Sequence, residues 1–269
     1  IIQPSYRAPL PRARDETIHH LSSTLSSTLS SPPFPMAPSL PTPYLPTMTD
    51  RESSVFSQLR TEAIAAVLIL EREDDAEPVA EALIAGGIRA MELTLRTPAA
   101  LAALRRIRRA FPEMLAGLGT VLTPDQVLQA VDADAAFAVA PGMNPTTVSA
   151  ARDANLPFAP GICTPSDIEQ ALAFHCRLLK FFPAEHSGGL KYLEAIAAPY
   201  QHLGLHYIPL GGISESNCGD WLRHPLTGAV GGSWLAPRDL IANKDWAAIT
   251  DRASRAIAIR NGIRNSSET

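Results

Sequence analysis

Short apolar segments alternate along the chain with longer segments of helical periodicity from about residue 55 onward. Strands that alternate with helices pair in parallel. Eight such units within about 215 residues predict a (β/α)₈ TIM barrel, an α/β fold near the small end of its usual size range. The eight predicted strands are 65–70, 88–94, 114–119, 135–140, 156–161, 177–183, 205–211 and 228–233.

Several helix starts between these strands share one signature, a capping side chain followed by proline. The four clear examples are Thr97-Pro98, Thr123-Pro124, Asn144-Pro145 and Thr164-Pro165. Ala236-Pro237 is a weaker fifth example, and Ser214 is expected to cap a helix after Gly212. A doubly wound open sheet is the alternative architecture, but no GxGxxG motif follows the first strand to support it.

The first fifty residues differ in composition from the rest of the chain. They contain ten prolines, eight serines, six threonines and no glycine, whereas the remaining 219 residues contain all sixteen glycines. Such a segment cannot bury enough apolar surface to offset its ordering entropy. We therefore predict that residues 1–50 are disordered and are not part of the natural folded protein, and that residues 51–269 form the folded domain. A transit peptide is the alternative, although Asp15 and Glu16 do not suit one.

Charge and cysteine content exclude several classes of function. The chain has 23 basic and 27 acidic residues, a net charge of −4, which does not suit a nucleic-acid or membrane-surface binder. No apolar run approaches the roughly 18 residues of a membrane span. The three cysteines form no CxxC pair, which is typical of a reducing cytoplasm. The seven histidines show no metal-ligand spacing, so we predict no metal.

Lys180 is the first candidate for chemistry, because it lies among apolar neighbours in the predicted strand 177–183. A desolvated lysine loses its proton more readily, and the neutral amine can attack a carbonyl carbon to form a Schiff base. The alternative is a solvated lysine at the strand end that pairs with Glu185. Lys191 and Lys244, the other two lysines, lie in polar helical segments and are expected at the surface.

Glu92 is the second candidate, because strand alternation directs its carboxylate into the predicted barrel. A buried carboxylate needs a cation or hydrogen-bond donors and can act as a general acid or base. A structural ion pair with Arg96 is an equally good interpretation. Arg96 itself follows the strand, where its guanidinium could bind a substrate carboxylate or form a salt bridge across the rim.

Two glycine pairs follow the last two predicted strands. Gly211-Gly212 follows the seventh strand, and Gly231-Gly232-Ser233 ends the eighth. Loops after strands seven and eight commonly form the phosphate site of such barrels, because backbone N–H groups can approach an anion there. Glycine pairs are also usual in turns. Thr120, at the end of the third strand, could bind substrate or only help to form the turn.

Six of these segments occur in an order that resembles the class I 2-keto-3-deoxy-6-phosphogluconate (KDPG/KHG) aldolases. The resemblance extends from about Ser53 to Gly262. The segments are Glu92–Thr97, Gly119–Val121, Pro141-Gly142, Lys180–Glu185, Gly211–Ile213 and Gly231–Leu235.

The resemblance implies a homotrimer of (β/α)₈ barrels that needs neither cofactor nor metal. Such enzymes reversibly cleave 2-dehydro-3-deoxy-6-phospho-D-gluconate to pyruvate and glyceraldehyde 3-phosphate. By motif, Lys180 would form the Schiff base and Glu92 would transfer protons. Two further groups would bind the ends of the substrate: Arg96, Thr120 and Pro141 for the pyruvate moiety, and Gly211, Gly212, Gly232 and Ser233 for the phosphate.

Two departures from the family pattern affect these expectations. Leu210 stands where the family usually has threonine, so a hydroxyl near the phosphate is missing, and the first strand lacks a common proline. The alternative activities are cleavage of the 6-phosphogalactonate epimer and, as a side reaction, of 4-hydroxy-2-oxoglutarate. A non-catalytic phosphosugar-binding barrel is the alternative of another class. The combination of Lys180, Glu92 and Arg96 argues against it, because a binder needs no reactive amine.

Overall fold

The computed structural model describes residues 48–267. Residues 1–47, which make up most of the segment predicted to be disordered, lie outside the described residues. The first helix begins at Asp50, and the side chain of Thr49 caps it by accepting a hydrogen bond from the Glu52 N–H (3.1 Å).

Nine strands and ten α-helices occur within the described residues. The strands are β1 (Ile64–Leu68), β2 (Ala90–Thr94), β3 (Leu115–Gly119), β4 (Ala138–Val139), β5 (Phe158–Ala159), β6 (Gly161–Ile162), β7 (Leu178–Phe181), β8 (His206–Pro209) and β9 (Val230–Gly232). The helices are α1 (Asp50–Glu62), α2 (Ala76–Ala85), α3 (Ala100–Ala110), α4 (Pro124–Asp132), α5 (Pro145–Asp153), α6 (Pro165–Ala173), α7 (Gly189–Ala197), α8 (Cys218–Arg223), α9 (Arg238–Ala242) and α10 (Trp246–Ser267). None of these helices, including the 22-residue α10, is long and apolar enough to cross a membrane.

All strand pairs are parallel, as the alternation of strands and helices predicts. Six strands form one sheet in the order β5-β4-β3-β2-β1-β9, and three form a second in the order β6-β7-β8. Pro160 alone separates β5 from β6, and its carbonyl accepts a hydrogen bond from the Lys180 N–H (2.9 Å). On the other side, the Gly228 N–H donates to the Tyr207 carbonyl of β8 (2.8 Å). The prediction of a parallel α/β fold is confirmed.

Three helices begin at the predicted caps, because Thr123, Asn144 and Thr164 each accept a hydrogen bond from a backbone N–H of the first helical turn. Each cap is followed by proline, whose missing N–H has no helical partner to lose. At α6 the cap is reciprocal: Thr164 accepts from the Asp167 N–H, and the Asp167 carboxylate accepts from the Thr164 N–H.

Two predicted helix starts are wrong, because the intended caps have other partners. The Thr97 hydroxyl donates to the Leu70 carbonyl, and α3 begins only at Ala100. The Ser214 hydroxyl pairs with the Ser216 hydroxyl (2.9 Å), residues 215–217 form a turn, and α8 begins only at Cys218. At the weaker fifth site, α9 begins one residue after Pro237.

Apolar side chains form two buried clusters, and successive strand residues belong alternately to one cluster or the other. On β1, Ala66 belongs to the cluster under the helices, and Ala65 belongs to the inner cluster. The inner cluster takes residues from strands of both sheets and from α1: Phe56, Leu59, Ala65, Ala90, Leu115, Phe137, Val139, Ala159, Leu178, Ile208, Leu210 and Ala229. Helix α1 was not predicted, although Thr49 and Glu52 have capping-box spacing.

Candidate active site

A buried ion pair joins Lys180 of β7 to Glu92 of β2. The Lys180 Nζ lies 3.0 Å from Oε1 and 3.4 Å from Oε2 of Glu92. Lys180 is 5% exposed and Glu92 is 4% exposed. The alternative of a solvated Lys180 that pairs with Glu185 is therefore wrong, as is the alternative of a Glu92–Arg96 ion pair.

The geometry of this pair allows proton transfer. Removing two charges from water costs more than their attraction usually returns, so a buried ion pair is weak evidence of a stabilising role. The two groups are within hydrogen-bond distance, and the lysine proton can pass to the carboxylate along that bond. The products of the transfer are a neutral amine, which is a nucleophile for carbonyl carbon, and an adjacent carboxylic acid.

Glycines on the neighbouring strands leave space at the pair: Gly119 for the Glu92 carboxylate, and Gly161 for Pro141 beside Lys180. A Cβ on Gly119 would lie 1.8 Å from Glu92 Oε1, so only glycine admits the carboxylate there. Gly161, which is in register with Lys180, would place a Cβ 2.2 Å from the Pro141 carbonyl carbon. Sequence reasoning missed this role of Gly119 and Gly161. The available signal was glycine at positions 117 and 119, alternate residues of one strand face.

The residues assigned to the pyruvate moiety lie at the carboxyl ends of three strands. Arg96 follows β2, is exposed, and has no side-chain partner among residues 48–267, so the expected salt bridge across the rim is absent within that range. Thr120 follows the Gly119 that contacts Glu92, and its backbone has a φ of 61°. Pro141 contacts Gly161 through its carbonyl group. Arg96 therefore follows the strand that carries Glu92, and Thr120 is adjacent to the glycine beside Glu92. Pro141 contacts the glycine that is in register with Lys180.

Phe182 connects the ion pair to the first glycine pair, a role that the sequence did not predict. The Lys180 Nζ lies 5.7 Å from the centre of the Phe182 ring, which suits a cation–π contact. The same ring contacts Gly211, where an added Cβ would lie 3.2 Å from a ring carbon. The Lys180–Glu92 pair and the loop at Gly211 therefore belong to one site.

The Gly211-Gly212 loop offers backbone donors in a fixed conformation. Both glycines have φ near +90°, a left-handed conformation that other residues rarely adopt. The Gly211 carbonyl accepts from the Glu185 N–H (3.0 Å), and the Gly212 carbonyl accepts from the Asn217 side chain (3.0 Å). No acceptor for the N–H groups of Gly212 and Ile213 is found in the described part of the chain. These N–H groups can bind an anion.

Leu210, which precedes this loop, contacts the second glycine segment. Leu210 is 5% exposed, and a Cβ on Gly231 would lie 2.9 Å from its Cγ. Gly232 ends β9, and Ser233 follows it as an exposed residue. At the position where the family usually has threonine, Leu210 thus packs in the inner apolar cluster and offers no hydroxyl.

Other nucleophiles and metal sites are poorly supported. Burial raises the pKa of the Cys176 thiol to about 12 and also raises the pKa of Cys218, so both stay protonated and unreactive. Cys163 is half-buried, and its Sγ lies 3.1 Å from the Ser187 hydroxyl. Within residues 48–267, no three histidine, cysteine, aspartate or glutamate side chains are grouped to hold a metal ion.

Comparisons with known proteins agree on one family. The family model described as "Aldolase: KDPG and KHG aldolase" matches residues 55–252. The KHG/KDPG aldolase of Escherichia coli K12 is 39% identical over 210 residues, which are 78% of this chain and 98% of the relative.

Two solved structures give the same result. The first is a KDPG aldolase from Legionella pneumophila with pyruvate captured as a covalent carbinolamine. It is 36% identical with a TM-score of 0.72, over 76% of this chain and 97% of that one. The second is the KDPG aldolase of Zymomonas mobilis ZM4 with 3-phosphoglycerate. It is 36% identical with a TM-score of 0.71, over 78% and 96% of the two chains.

The contact between Gly119 and Glu92 predicts a specific effect of Gly119→Ala. The new methyl group must displace the Glu92 carboxylate, and a shift of this size at a reacting group costs roughly 10²-fold in rate. The measurement is the rate at which pyruvate forms an imine with the protein, trapped as a stable covalent adduct when borohydride reduces the imine. Gly262→Ala is the matched control, because no heavy atom lies within 4 Å of its added Cβ. Equal rates in the two variants would contradict the assigned role of Gly119.

Proposed function

The chain belongs to the KDPG and KHG aldolase family, and on that premise we propose that it is a class I aldolase. Its reaction is the reversible cleavage of 2-dehydro-3-deoxy-6-phospho-D-gluconate to pyruvate and D-glyceraldehyde 3-phosphate. The observation that carries the proposal is the buried Lys180–Glu92 pair, since a lysine within 3.0 Å of a carboxylate base is what Schiff-base chemistry needs.

The first half of the reaction uses the amine of Lys180. After its proton passes to Glu92, Nζ attacks the C2 keto carbon and forms a carbinolamine. The carbinolamine loses its hydroxyl as water, with the proton supplied by Glu92, and leaves an iminium ion. The iminium attracts electrons from the neighbouring carbon, which prepares the C3–C4 bond for cleavage.

The second half breaks and remakes bonds at C3. Glu92 accepts the proton of the C4 hydroxyl, the C3–C4 electron pair moves towards the iminium nitrogen, and the aldehyde leaves. The remaining enamine takes a proton at C3, and water then hydrolyses the iminium to release pyruvate. No metal or cofactor is needed in this sequence, because the lysine nitrogen receives the electron pair.

The ends of the substrate are matched by the two remaining groups of the site. Arg96 binds the carboxylate with its guanidinium, which lacks any other partner in the described residues. Thr120 adds a hydroxyl donor, and Pro141 shapes the wall beside Lys180. Phosphate is bound by the free N–H groups of the Gly211-Gly212 loop and by the Gly232-Ser233 segment.

Related substrates would use the same reaction centre. The 6-phosphogalactonate epimer and 4-hydroxy-2-oxoglutarate both carry a 2-keto acid, on which Lys180, Glu92 and Arg96 act. The phosphogluconate derivative is the proposed main substrate, because curated relatives are named for it. The phosphate-free substrate would leave the glycine loops without a ligand. A non-catalytic binding barrel, by contrast, would never form a covalent adduct.

We further propose that the nine strands form one closed (β/α)₈ barrel, in which β5 and β6 are one strand interrupted at Pro160. This is supported by the Lys180–Pro160 and Gly228–Tyr207 backbone hydrogen bonds and by the inner cluster drawn from both sheets. A crystal structure with β8 and β9 apart would contradict this closure.

We propose that the enzyme is a homotrimer that covers an apolar surface at α4. Leu122, Leu128 and Val131 are 45%, 60% and 40% exposed, which is unusual for large apolar side chains so close together. Leu128→Glu places a charge in this surface and should convert trimers to monomers without unfolding the chain. Sedimentation equilibrium measures the change, and a monomeric parent protein would contradict the proposal.

Lys180→Arg should abolish both substrate cleavage and borohydride trapping of pyruvate. A guanidinium stays protonated and cannot form the imine, although the replacement keeps the charge beside Glu92. Mass spectrometry of the trapped peptide measures the adduct. Lys191→Arg is the matched control, because Lys191 is an exposed lysine of α7. An adduct found on Lys191 or Lys244 in the parent protein would disprove the assignment.

Glu92→Gln should lower kcat by roughly 10²–10⁴-fold, because the amide keeps the shape of the side chain but cannot accept a proton. Schiff-base formation should continue slowly. The direct measurement is hydrogen–deuterium exchange at the pyruvate methyl group. Glu81→Gln, at an exposed position of α2, is the control. Methyl exchange at the parent rate in Glu92→Gln would show that another group is the base.

A further inference from the structure

A cavity that is separate from the candidate active site lies at the amino-terminal ends of β7 and β8. Its volume is about 490 Å³, within the range of roughly 300–1,000 Å³ that is usual for small-molecule sites. Helix α1, Leu178 at the start of β7 and residues 203–206 surround it. Arg96 and Gly211 follow the carboxyl-terminal ends of their strands. Because the strands are parallel, this cavity and the candidate active site lie at opposite strand ends.

Three basic side chains line this cavity, and no acidic side chain does: Arg60, Arg177 and His206. Arg60 has no ion-pair or hydrogen-bond partner among the described residues, and Arg177 donates one hydrogen bond to the Leu203 carbonyl (3.1 Å). Glu62, two residues after Arg60, instead lies 3.8 Å from Arg260. Among residues 48–267, no acidic side chain of the lining compensates the positive charge of the cavity.

The positive charge of the cavity affects the pKa of His206. Burial lowers the pKa of His206, and the charge of Arg60 lowers it further. A bound anion would reverse the second effect, since it would compensate Arg60.

The remaining lining combines apolar and hydroxyl groups. Phe56 and Leu178 provide apolar surface. Arg60 and Ser57 also line an adjoining cavity of about 420 Å³, which Thr227 lines as well. Ser53 and Ser57 provide hydroxyl groups to the basic cavity.

We propose that this basic cavity is a second anion site that binds the phosphate ester of a small polyol. Arg60 and Arg177 bind the phosphate oxygens, because guanidinium groups match phosphate geometry with paired hydrogen bonds. Ser53 and Ser57 bind the hydroxyl groups of the polyol. The site contains none of the residues assigned to aldol cleavage, so it does not depend on the proposed function.

Hydrogen exchange of the full chain, read by mass spectrometry, can separate this site from the active site. With glycerol 3-phosphate as the probe, peptides that cover 53–61 and 203–208 should become protected. Any binding at the active site appears separately in peptides that cover 211–214 and 231–234. Arg60→Gln should weaken the affinity measured at 203–208 by about tenfold or more, since a hydrogen bond to a charged group is lost. It should leave the protection at 231–234 unchanged.

Arg109→Gln is the matched control, because Arg109 is also exposed and without a side-chain partner in the described residues, but lies at the end of α3. Arg177→Gln provides an independent second variant of the site. Glycerol alone should give no protection, and inorganic phosphate should give weaker protection than the ester. Lack of protection at 203–208 at every probe concentration would overturn the proposal. Equal weakening by Arg109→Gln would also overturn it.

Discussion

The burial of Lys180 against Glu92 is the constraint on which the rest of the active site depends. Two opposite charges in an apolar interior must stay together, because either one alone would be a costly buried charge. Their strands, β7 and β2, lie in different sheets, so the pair also links the two sheets through side chains. The glycines next to the pair follow from the same constraint, since a side chain at Gly119 would occupy the carboxylate position.

The Lys180–Glu92 pair and the Gly211-Gly212 loop present different electrostatic problems. Lys180 and Glu92 carry opposite charges, so a proton transferred between them would leave the pair neutral overall. The loop offers neutral backbone N–H groups, which can bind a charged ligand without a buried counter-charge beforehand. The Phe182 ring contacts both regions.

The sequence predicts residues well where one physical rule decides their position. Strand alternation places Lys180 on the same face as Leu178 and Glu92 on the same face as Ala90. The structure buries both charged side chains, which removes the solvated alternative for Lys180. Local rules fail where a distant partner competes. Thr97 has a capping side chain, yet the Leu70 carbonyl takes its hydroxyl, and that carbonyl is 27 residues away in the chain. The contact of Leu210 with Gly231 likewise depends on tertiary packing, which a motif comparison cannot reveal.

Paired and unpaired arginines both occur on the outer helices. Arg106 of α3 contacts both Asp74 and Glu77, whereas Arg109 of the same helix has no side-chain partner among residues 48–267. Arg96 and Arg60, at opposite strand ends, have no such partners in the described residues. An unpaired arginine in water costs little, so exposure alone would not distinguish them. The distinction is their surroundings, because Arg96 follows the strand that carries Glu92, and Arg60 lines a cavity without acidic groups among the described residues. These surroundings are the physical basis for proposing a ligand carboxylate at Arg96 and a ligand phosphate at Arg60.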